Sequence, residues 1–137
     1  MSQRPTDPAT RARLSRLQAI ARIQSDAALA RLAVAAQGRA RLLQSLDALG
    51  RAEEPLAPAD AEEAEDPAMV QARLAHRRWL DAQRRMLNQR LALVQAEYLT
   101  LQPHAQRAFG RAEVLDRLQD GLGAEARQIA ACHDQGG

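Results

Sequence analysis

The feature that most constrains the fold of this chain is a heptad repeat in its C-terminal half. Every seventh residue from Leu80 onward is apolar, giving eight consecutive d positions: Leu80, Leu87, Val94, Leu101, Ala108, Leu115, Leu122 and Ile129. The accompanying a positions are apolar in six of nine cases: Val70, Arg77, Arg84, Leu91, Tyr98, Ala105, Ala112, Gln119 and Ala126. A heptad repeat of this length predicts a long supercoiled helix that packs against a partner helix.

The composition favours helices that meet along narrow seams. Ala, Leu, Arg, Gln and Glu dominate the sequence and are strong helix formers, whereas Trp79, Tyr98 and Phe109 are the only aromatic residues. Residues that favour strands are few. The length of 137 residues suits one domain. We therefore predict an all-α fold in which a single coiled-coil domain spans residues 1–137.

Breakers and capping residues divide this domain into two helices, which we expect to form a long antiparallel coiled-coil hairpin. The predicted segments are a flexible tail (1–9), a first helix (10–50), an acidic link (51–66), a longer second helix (67–133) and a C-terminal tail (134–137). Gly50 is expected to end the first helix, because two prolines in the acidic stretch forbid its continuation. Asp66 as N-cap and Pro67 at the first helical position mark the start of the second.

Pro103 interrupts the second helix at an f position, which faces away from the heptad seam. Because no glycine or polar loop accompanies it, this placement favours a kink near residue 103. The alternative is a reversal of the chain at Pro103, which would produce a three-helix bundle.

The first helix has a less regular apolar pattern, with a change of register near residue 29. Its expected seam consists of Leu14, Leu17, Ile20, Ile23, Ala27, Leu29, Ala30, Leu32, Ala36, Leu43 and Leu46. A hairpin folded about residue 58 would place residue 10 opposite residue 107, so the second helix would overhang by roughly 25 residues. In this overhang Leu115, Leu122 and Ile129 are expected to lack an intramolecular partner and to bind another protein.

Charge is distributed unevenly along the chain, although the net charge is only +2. Seven of the 17 acidic residues lie within residues 53–66, which contain no arginine. The rest of the chain holds all 19 arginines against ten acids, a net charge of +9, and lysine is absent. The predicted helices are therefore basic and the link between them is acidic.

The sequence gives several indications of where the protein acts. Its single cysteine, Cys132, excludes an internal disulfide, and the N-terminal residues lack the apolar stretch of a secretory signal. Charged residues interrupt every apolar segment well short of the ~18 residues needed to cross a bilayer. We expect a cytoplasmic protein that meets membranes only through its partners.

No motif in the sequence indicates catalysis. Gly121 and Gly123 lack both the lysine and the preceding strand of a phosphate-binding loop. Cys132 and His133 are adjacent, but no second cysteine and no suitably spaced histidine completes a metal site. We therefore expect no catalytic residue, metal, cofactor or small-molecule substrate.

A stripe of apolar residues off the heptad seam is a candidate partner-binding surface. Trp79, Met86 and Leu93 recur at c positions, with Ala82 between them at f, so they should face away from the first helix. The alternative is that a third helix folds back over the stripe. We predict that these residues, with the neighbouring Arg78 and Arg85, contact a partner protein.

Two arginines occupy a positions within the predicted seam. The aliphatic stems of Arg77 and Arg84 are expected to cover the seam while their guanidinium groups reach water or an acid of the first helix, such as Asp47.

The segment Arg107-Ala-Phe-Gly-Arg-Ala-Glu-Val-Leu-Asp-Arg-Leu118, together with the size, basic charge and two-helix architecture of the chain, suggests a family. In these respects the chain resembles the FliJ/YscO stalk family of flagellar and type III secretion export. The resemblance implies a rod similar to the γ subunit of rotary ATPases. Its terminal coiled coil would lie within the export ATPase ring, while another part contacts the membrane export gate component. Export chaperones are further partners that we consider.

Two other functions remain open. An export chaperone could hold the terminal helix of a secreted substrate against the unpaired seam. A basic helical protein could instead bind nucleic acid. Against nucleic acid, the arginines alternate with acids, no recognition motif is present, and stacking aromatics are few.

Overall fold

A computed structural model of the chain describes residues 7–53 and 66–136. Over these residues the chain is all-α, with two long helices and no strand: α1 spans Pro8–Glu53 and α2 spans Pro67–Gln135. The prediction of an all-α fold with a longer second helix is confirmed. Most of the predicted N-terminal tail (1–6) and most of the predicted acidic link (54–65) lie outside the described residues.

Both helices begin at an Asp-Pro pair. Oδ1 of Asp66 accepts a hydrogen bond from the backbone N–H of Ala68 at 3.2 Å, while Pro67 occupies the first position of α2. The backbone oxygen of Asp7 accepts a hydrogen bond from the N–H of Arg11 at 3.0 Å. The prediction that Asp66 caps α2 is confirmed, since its carboxylate satisfies an N–H that the helix cannot.

α1 continues through Gly50 to Glu53, so the prediction that Gly50 ends this helix is wrong. A glycine stops a helix when it adopts a left-handed conformation, and Gly50 does not have the positive φ that this requires. The last turn is held instead by two ion pairs. Asp47 pairs with Arg51 within α1, and Glu53 pairs with Arg84 of α2.

α2 is continuous through Pro103, so the chain does not reverse there and the three-helix alternative is wrong. Pro103 is exposed, and its backbone oxygen accepts a hydrogen bond from Nε of Arg107 at 3.3 Å. The ring therefore lies on the solvent side of the helix, and the kink expected near residue 103 stays a prediction.

The chain divides into two compact units, and each unit pairs a segment of α1 with a segment of α2. Unit 1 contains the described residues up to Leu32 and from Thr100 onward, and unit 2 is Ala33–Leu99. In unit 1, Gln18 contacts Asp116, whereas Ala28 clusters with Ala105 and Ala108. Residue numbers thus rise along α1 as they fall along α2, so the two segments are antiparallel.

The seam of unit 1 is built from small side chains. Its buried residues are Ala21, Ser25 and Ala28 from α1 and Ala105, Ala108 and Ala112 from α2. Leu32 packs against this cluster and is half-buried. Alanine lets two helices approach closely, so the larger side chains stand outside the seam.

This arrangement corrects most of the predicted seam of α1. Leu14, Leu32 and Leu46 are half-buried as expected. The other predicted seam residues are exposed: Leu17, Ile20, Ile23, Ala27, Leu29, Ala30, Ala36 and Leu43. The expected seam includes the large aliphatic residues Leu17, Ile20 and Ile23, whereas the packed residues of α1 recur at alternating steps of three and four that also take in small and polar side chains.

The register predicted for unit 1 is also wrong. Residue 10 was expected opposite residue 107, but Gln18 lies opposite Asp116, a displacement of more than two heptads along α2. The prediction assumed that the chain folds about the middle of the link. In unit 2 the last residue of α1, Glu53, instead pairs with Arg84, well inside α2.

Unit 2 has a seam with larger side chains on α2. Leu80 is only 2% exposed and is the largest fully buried side chain among the described residues, and it is followed at seam positions by the half-buried Leu87, Leu91 and Val94. The guanidinium carbon of Arg39 lies 5.8 Å from the centre of the Tyr98 ring, a cation–π contact across the seam.

Burial along α2 agrees with the predicted heptad between residues 80 and 126. Every a and d residue in this range is buried or half-buried. The predicted repeat extends too far at both ends, since Val70, Arg77 and Ile129 are exposed.

Candidate protein-binding surfaces

The predicted stripe on α2 of unit 2 is exposed. Trp79, Met86 and Leu93 have 55%, 38% and 73% of their surface accessible, and Ala82 is also exposed. They share a helix with Leu80 and Leu87, which turn toward α1, and so lie away from the seam as predicted. The described residues contain no third helix that could cover them.

His76, a residue to which the sequence analysis gave no role, supports this stripe. The ring of His76 stacks on that of Trp79, with ring centres 6.0 Å apart and planes at 11°. The two residues are three apart on one helix, a spacing that places side chains side by side and could have revealed the contact. The stacking restricts the orientation of the indole while leaving half of the residue accessible.

Arginines flank the stripe. Arg78 and Arg85 are exposed, and Nε of Arg85 donates a hydrogen bond to the backbone oxygen of Asp81 at 3.4 Å. Residues 67–93 contain six arginines and one acid, Asp81. The surface around the stripe is therefore strongly basic.

The two arginines predicted within the seam behave differently. Arg77 is exposed and lies outside the packed part of α2. Arg84 is half-buried and pairs with Glu53, not with Asp47, whose carboxylate binds Arg51. The hydrogen bond and the negative charge of Glu53 raise the pKa of Arg84 above its ordinary value.

The first turns of α2 form a second exposed region that the sequence analysis missed. All residues of 67–79 are exposed, and the last residue of α1 pairs with Arg84. The described part of α1 therefore ends before it reaches these turns. They expose Met69, Val70 and Leu74, each with at least 41% of its surface accessible.

The three predicted binding residues near the end of α2 are not equivalent. Leu115 is half-buried and lines a groove with Leu17 and Ile20 of α1, so the expectation that it has no intramolecular partner is wrong. The cause is the corrected register, which brings α1 alongside this part of α2. Leu122 is half-buried, and Ile129 is 59% exposed. Their binding of a partner stays a prediction.

A groove runs along unit 1 beside its seam. It has a volume of about 640 Å³, and it runs between α1 and α2 over a floor formed by Ala21 and Ala108. Leu17, Ile20 and Val114 form its walls. Because the seam residues are small, the aliphatic side chains beside them stand up around a trough.

The carboxylate of Asp116 joins the two helices of unit 1. Asp116 accepts a hydrogen bond from Nε2 of Gln18, and Oδ1 of Asp116 lies 3.1 Å from Nη2 of Arg22. The hydrogen bond from Gln18, with the charge of Arg22, holds the pKa of the Asp116 carboxyl below its ordinary value, against a smaller opposing effect of desolvation.

No protein-family model, curated protein or solved structure matches this chain. Within residues 7–53 and 66–136, no three residues among His, Cys, Asp and Glu lie close enough together to hold a metal ion. Neither helix has, in its described residues, a segment apolar and long enough to cross a bilayer.

Proposed function

We propose that this chain is a non-enzymatic stalk or adaptor of a flagellar or type III protein export apparatus in the cytoplasm. It would bind the export ATPase ring and the membrane export gate component, and would couple them mechanically or allosterically. The protein-binding part of this proposal is carried by the exposed stripe Trp79, Met86 and Leu93. The export part is supported by the resemblance in size, charge and architecture, and by residues 107–118.

The stripe has the properties of a binding hot spot. A large aromatic and two flexible or branched aliphatic side chains lie in one line, and removing them from water on docking is favourable. His76 restricts the Trp79 ring before binding, which lowers the entropy that docking would otherwise cost. Arg78 and Arg85 would attract an acidic partner surface and set its orientation.

A binding experiment with two purified partners tests the proposal. The export ATPase and the cytoplasmic domain of the gate component would each be titrated against the chain and against a Trp79→Ala, Leu93→Ala double variant. We expect the double variant to bind one of the two partners at least about tenfold more weakly, because both side chains belong to the docked surface.

The matched control is Val34→Ala in α1 of the same unit. Val34 is 68% exposed, so its truncation removes apolar surface of similar accessibility outside the stripe. We expect its affinities to equal those of the unmodified chain. If neither partner binds the unmodified chain, the export assignment is wrong. If binding survives in the double variant, the stripe is not the contact.

Binding experiments with other probes separate the two other functions. Binding of a secreted substrate's terminal helix without binding of the ATPase would identify an export chaperone. Binding of duplex DNA with an affinity that falls steeply between about 50 and 200 mM salt would identify a nucleic-acid-binding protein.

A further inference from the structure

The groove of unit 1 combines apolar walls with a rim of one charge. Beyond the proposed function, we propose that this groove binds an amphipathic helix with an acidic flank, supplied by another protein. The docked helix would lie along α1 and α2 and contact both. Whether the chain belongs to an export apparatus does not enter this inference, which rests on the groove alone.

The apolar part of the groove is accessible. Leu17, Ile20 and Val114 keep 54%, 53% and 55% of their surface exposed although they border a common trough. No large side chain rises from the floor of the groove to cover these three residues, because Ala21 and Ala108 are small and buried in the seam. An apolar stripe on a third helix would fill this trough as one helix fills the groove between two others.

The charged part of the groove is entirely cationic. Two neighbouring depressions continue the trough through shared residues, and the charged residues that line the three together are Arg31, Arg107 and Arg111, with His104 beside them. Arg31 and Arg111 form no ion pair with a described residue. Nε of Arg107 donates only to its own helix, at the oxygen of Pro103. Carboxylates on an incoming helix would meet these cations at the rim.

The dimensions of the groove suit a helix of about four turns. Its lining residues on α1 run from Leu17 to Arg31, which corresponds to about 21 Å of helix axis. The apolar walls lie toward Leu17 and Val114, and the cationic side chains extend toward Arg31 and Arg107. The bound helix should therefore place its apolar stripe and its acidic flank at successive turns.

The chain itself does not offer such a helix. Residues 53–66 hold its acidic segment, but they include two prolines and a single large aliphatic residue, Leu56. A second copy would bring arginine-rich helices against a rim that is already cationic, which is unfavourable. Charge complementarity thus favours an acidic helix from a different protein.

Peptide titration of the full chain tests the inference. The probe is a fluorescein-labelled 16-residue helical peptide with leucines along one face and glutamates beside them. One control peptide carries lysine in place of glutamate, and another scrambles the leucine positions. We expect only the acidic amphipathic peptide to bind, with an affinity that declines as salt is added.

Matched variants locate the binding. Arg111→Glu should weaken the acidic peptide at least about fivefold, whereas Arg127→Glu should change it less than about twofold, because Arg127 lies outside the groove. Val114→Ser should weaken binding, whereas Leu118→Ser, which is exposed but does not line the groove, should not. Circular dichroism confirms that each variant is folded.

Methyl NMR gives an independent readout. The peptide should shift the signals of Leu17, Ile20 and Val114 and leave that of Ile129 unchanged. Equal binding of the lysine or scrambled peptide, or an unchanged affinity of Arg111→Glu, would overturn the inference. So would self-association of the chain that Val114→Ser abolishes, since the groove would then hold a second copy.

Discussion

The guanidinium of Arg22 in α1 lies 3.1 Å from the carboxylate of Asp116 in α2. Gln18, one turn earlier in α1, donates a hydrogen bond to the same carboxylate oxygen. The Asp116 carboxylate thus binds side chains from two successive turns of α1. A shift of α2 along α1 by one heptad would break both contacts. Asp116 therefore specifies the register of unit 1.

The Asp116 contacts should make stability depend on acid pH. The folded state lowers the pKa of Asp116, so its contribution to stability is present above the unfolded value of about 3.8 and is lost as pH falls through the lower folded pKa. We expect Asp116→Asn to lower the melting temperature at pH 7 and to reduce the fall in melting temperature between pH 5 and pH 2.

Thermal melting followed by circular dichroism at a series of pH values measures this effect. Asp120→Asn is the control, because Asp120 is exposed and forms no ion pair with a described residue. Parallel melting curves for Asp116→Asn and the unmodified chain at all pH values would show that the carboxylate does not hold the register.

Two adjacent residues in unit 2 should differ strongly in how much their truncation destabilises the fold. Leu80 is 2% exposed and Trp79 is 55% exposed. Leu80→Ala should lower the free energy of unfolding by about 2–5 kcal/mol, since it leaves a cavity in the seam. Trp79→Ala should change it by less than about 0.5 kcal/mol, because the indole lies at the surface. Urea denaturation at 25 °C gives both values, and a larger loss at Trp79 would mean that the stripe is part of the core.

The heptad that contains Leu80 shows which parts of the fold the sequence can predict. Along the part of α2 in unit 2, large aliphatic residues such as Leu80, Leu87 and Leu91 occupy packed positions, so hydrophobic periodicity identifies them. Along α1, Ala21, Ser25 and Ala28 are packed while Leu17 and Ile20 are exposed. A search for large apolar residues therefore follows the wrong face. The packed face of α1 is instead indicated by a repeat of small residues at steps of three and four, and this repeat continues through Arg39 and Glu53.

The register and the groove could not be derived from the same pattern. The expected register assumes that the chain reverses at the middle of the link, near residue 58. No physical rule requires the reversal to lie at the middle of a link. The ion pair of Glu53 with Arg84 decides the alignment in unit 2, and the Asp116 contacts decide it in unit 1. The groove depends on this alignment, because Leu17 and Val114 flank one trough only when residue 18 faces residue 116.

Gly38 offers a test of how tightly the seam of unit 2 is packed. A Cβ added at this residue would lie 3.8 Å from Cγ1 of Val94, an ordinary van der Waals distance, and Gly38 has no positive φ. Gly38→Ala should therefore raise the free energy of unfolding by about 0.5–1 kcal/mol, because alanine has the higher helix propensity. Gly110→Ala, where the added Cβ meets nothing within 4 Å, measures propensity alone. A destabilising Gly38→Ala would mean that the helices lie closer together than described.

Two truncations near the end of α2 separate its packed part from its exposed end. The register expected from the sequence would allow removal of all residues after Arg111 without harm to the fold. In the structure that removal deletes Ala112, Leu115 and Asp116, which pack against or bind α1. We therefore expect truncation after Arg111 to lower the melting temperature strongly and to reduce helicity in α1 as well. Truncation after Arg127 removes only exposed residues from the described part of the chain, so it should leave the melting temperature nearly unchanged. The melting temperatures of both truncated proteins are measured by circular dichroism. Equal melting temperatures would support the register in which this part of α2 has no partner in α1.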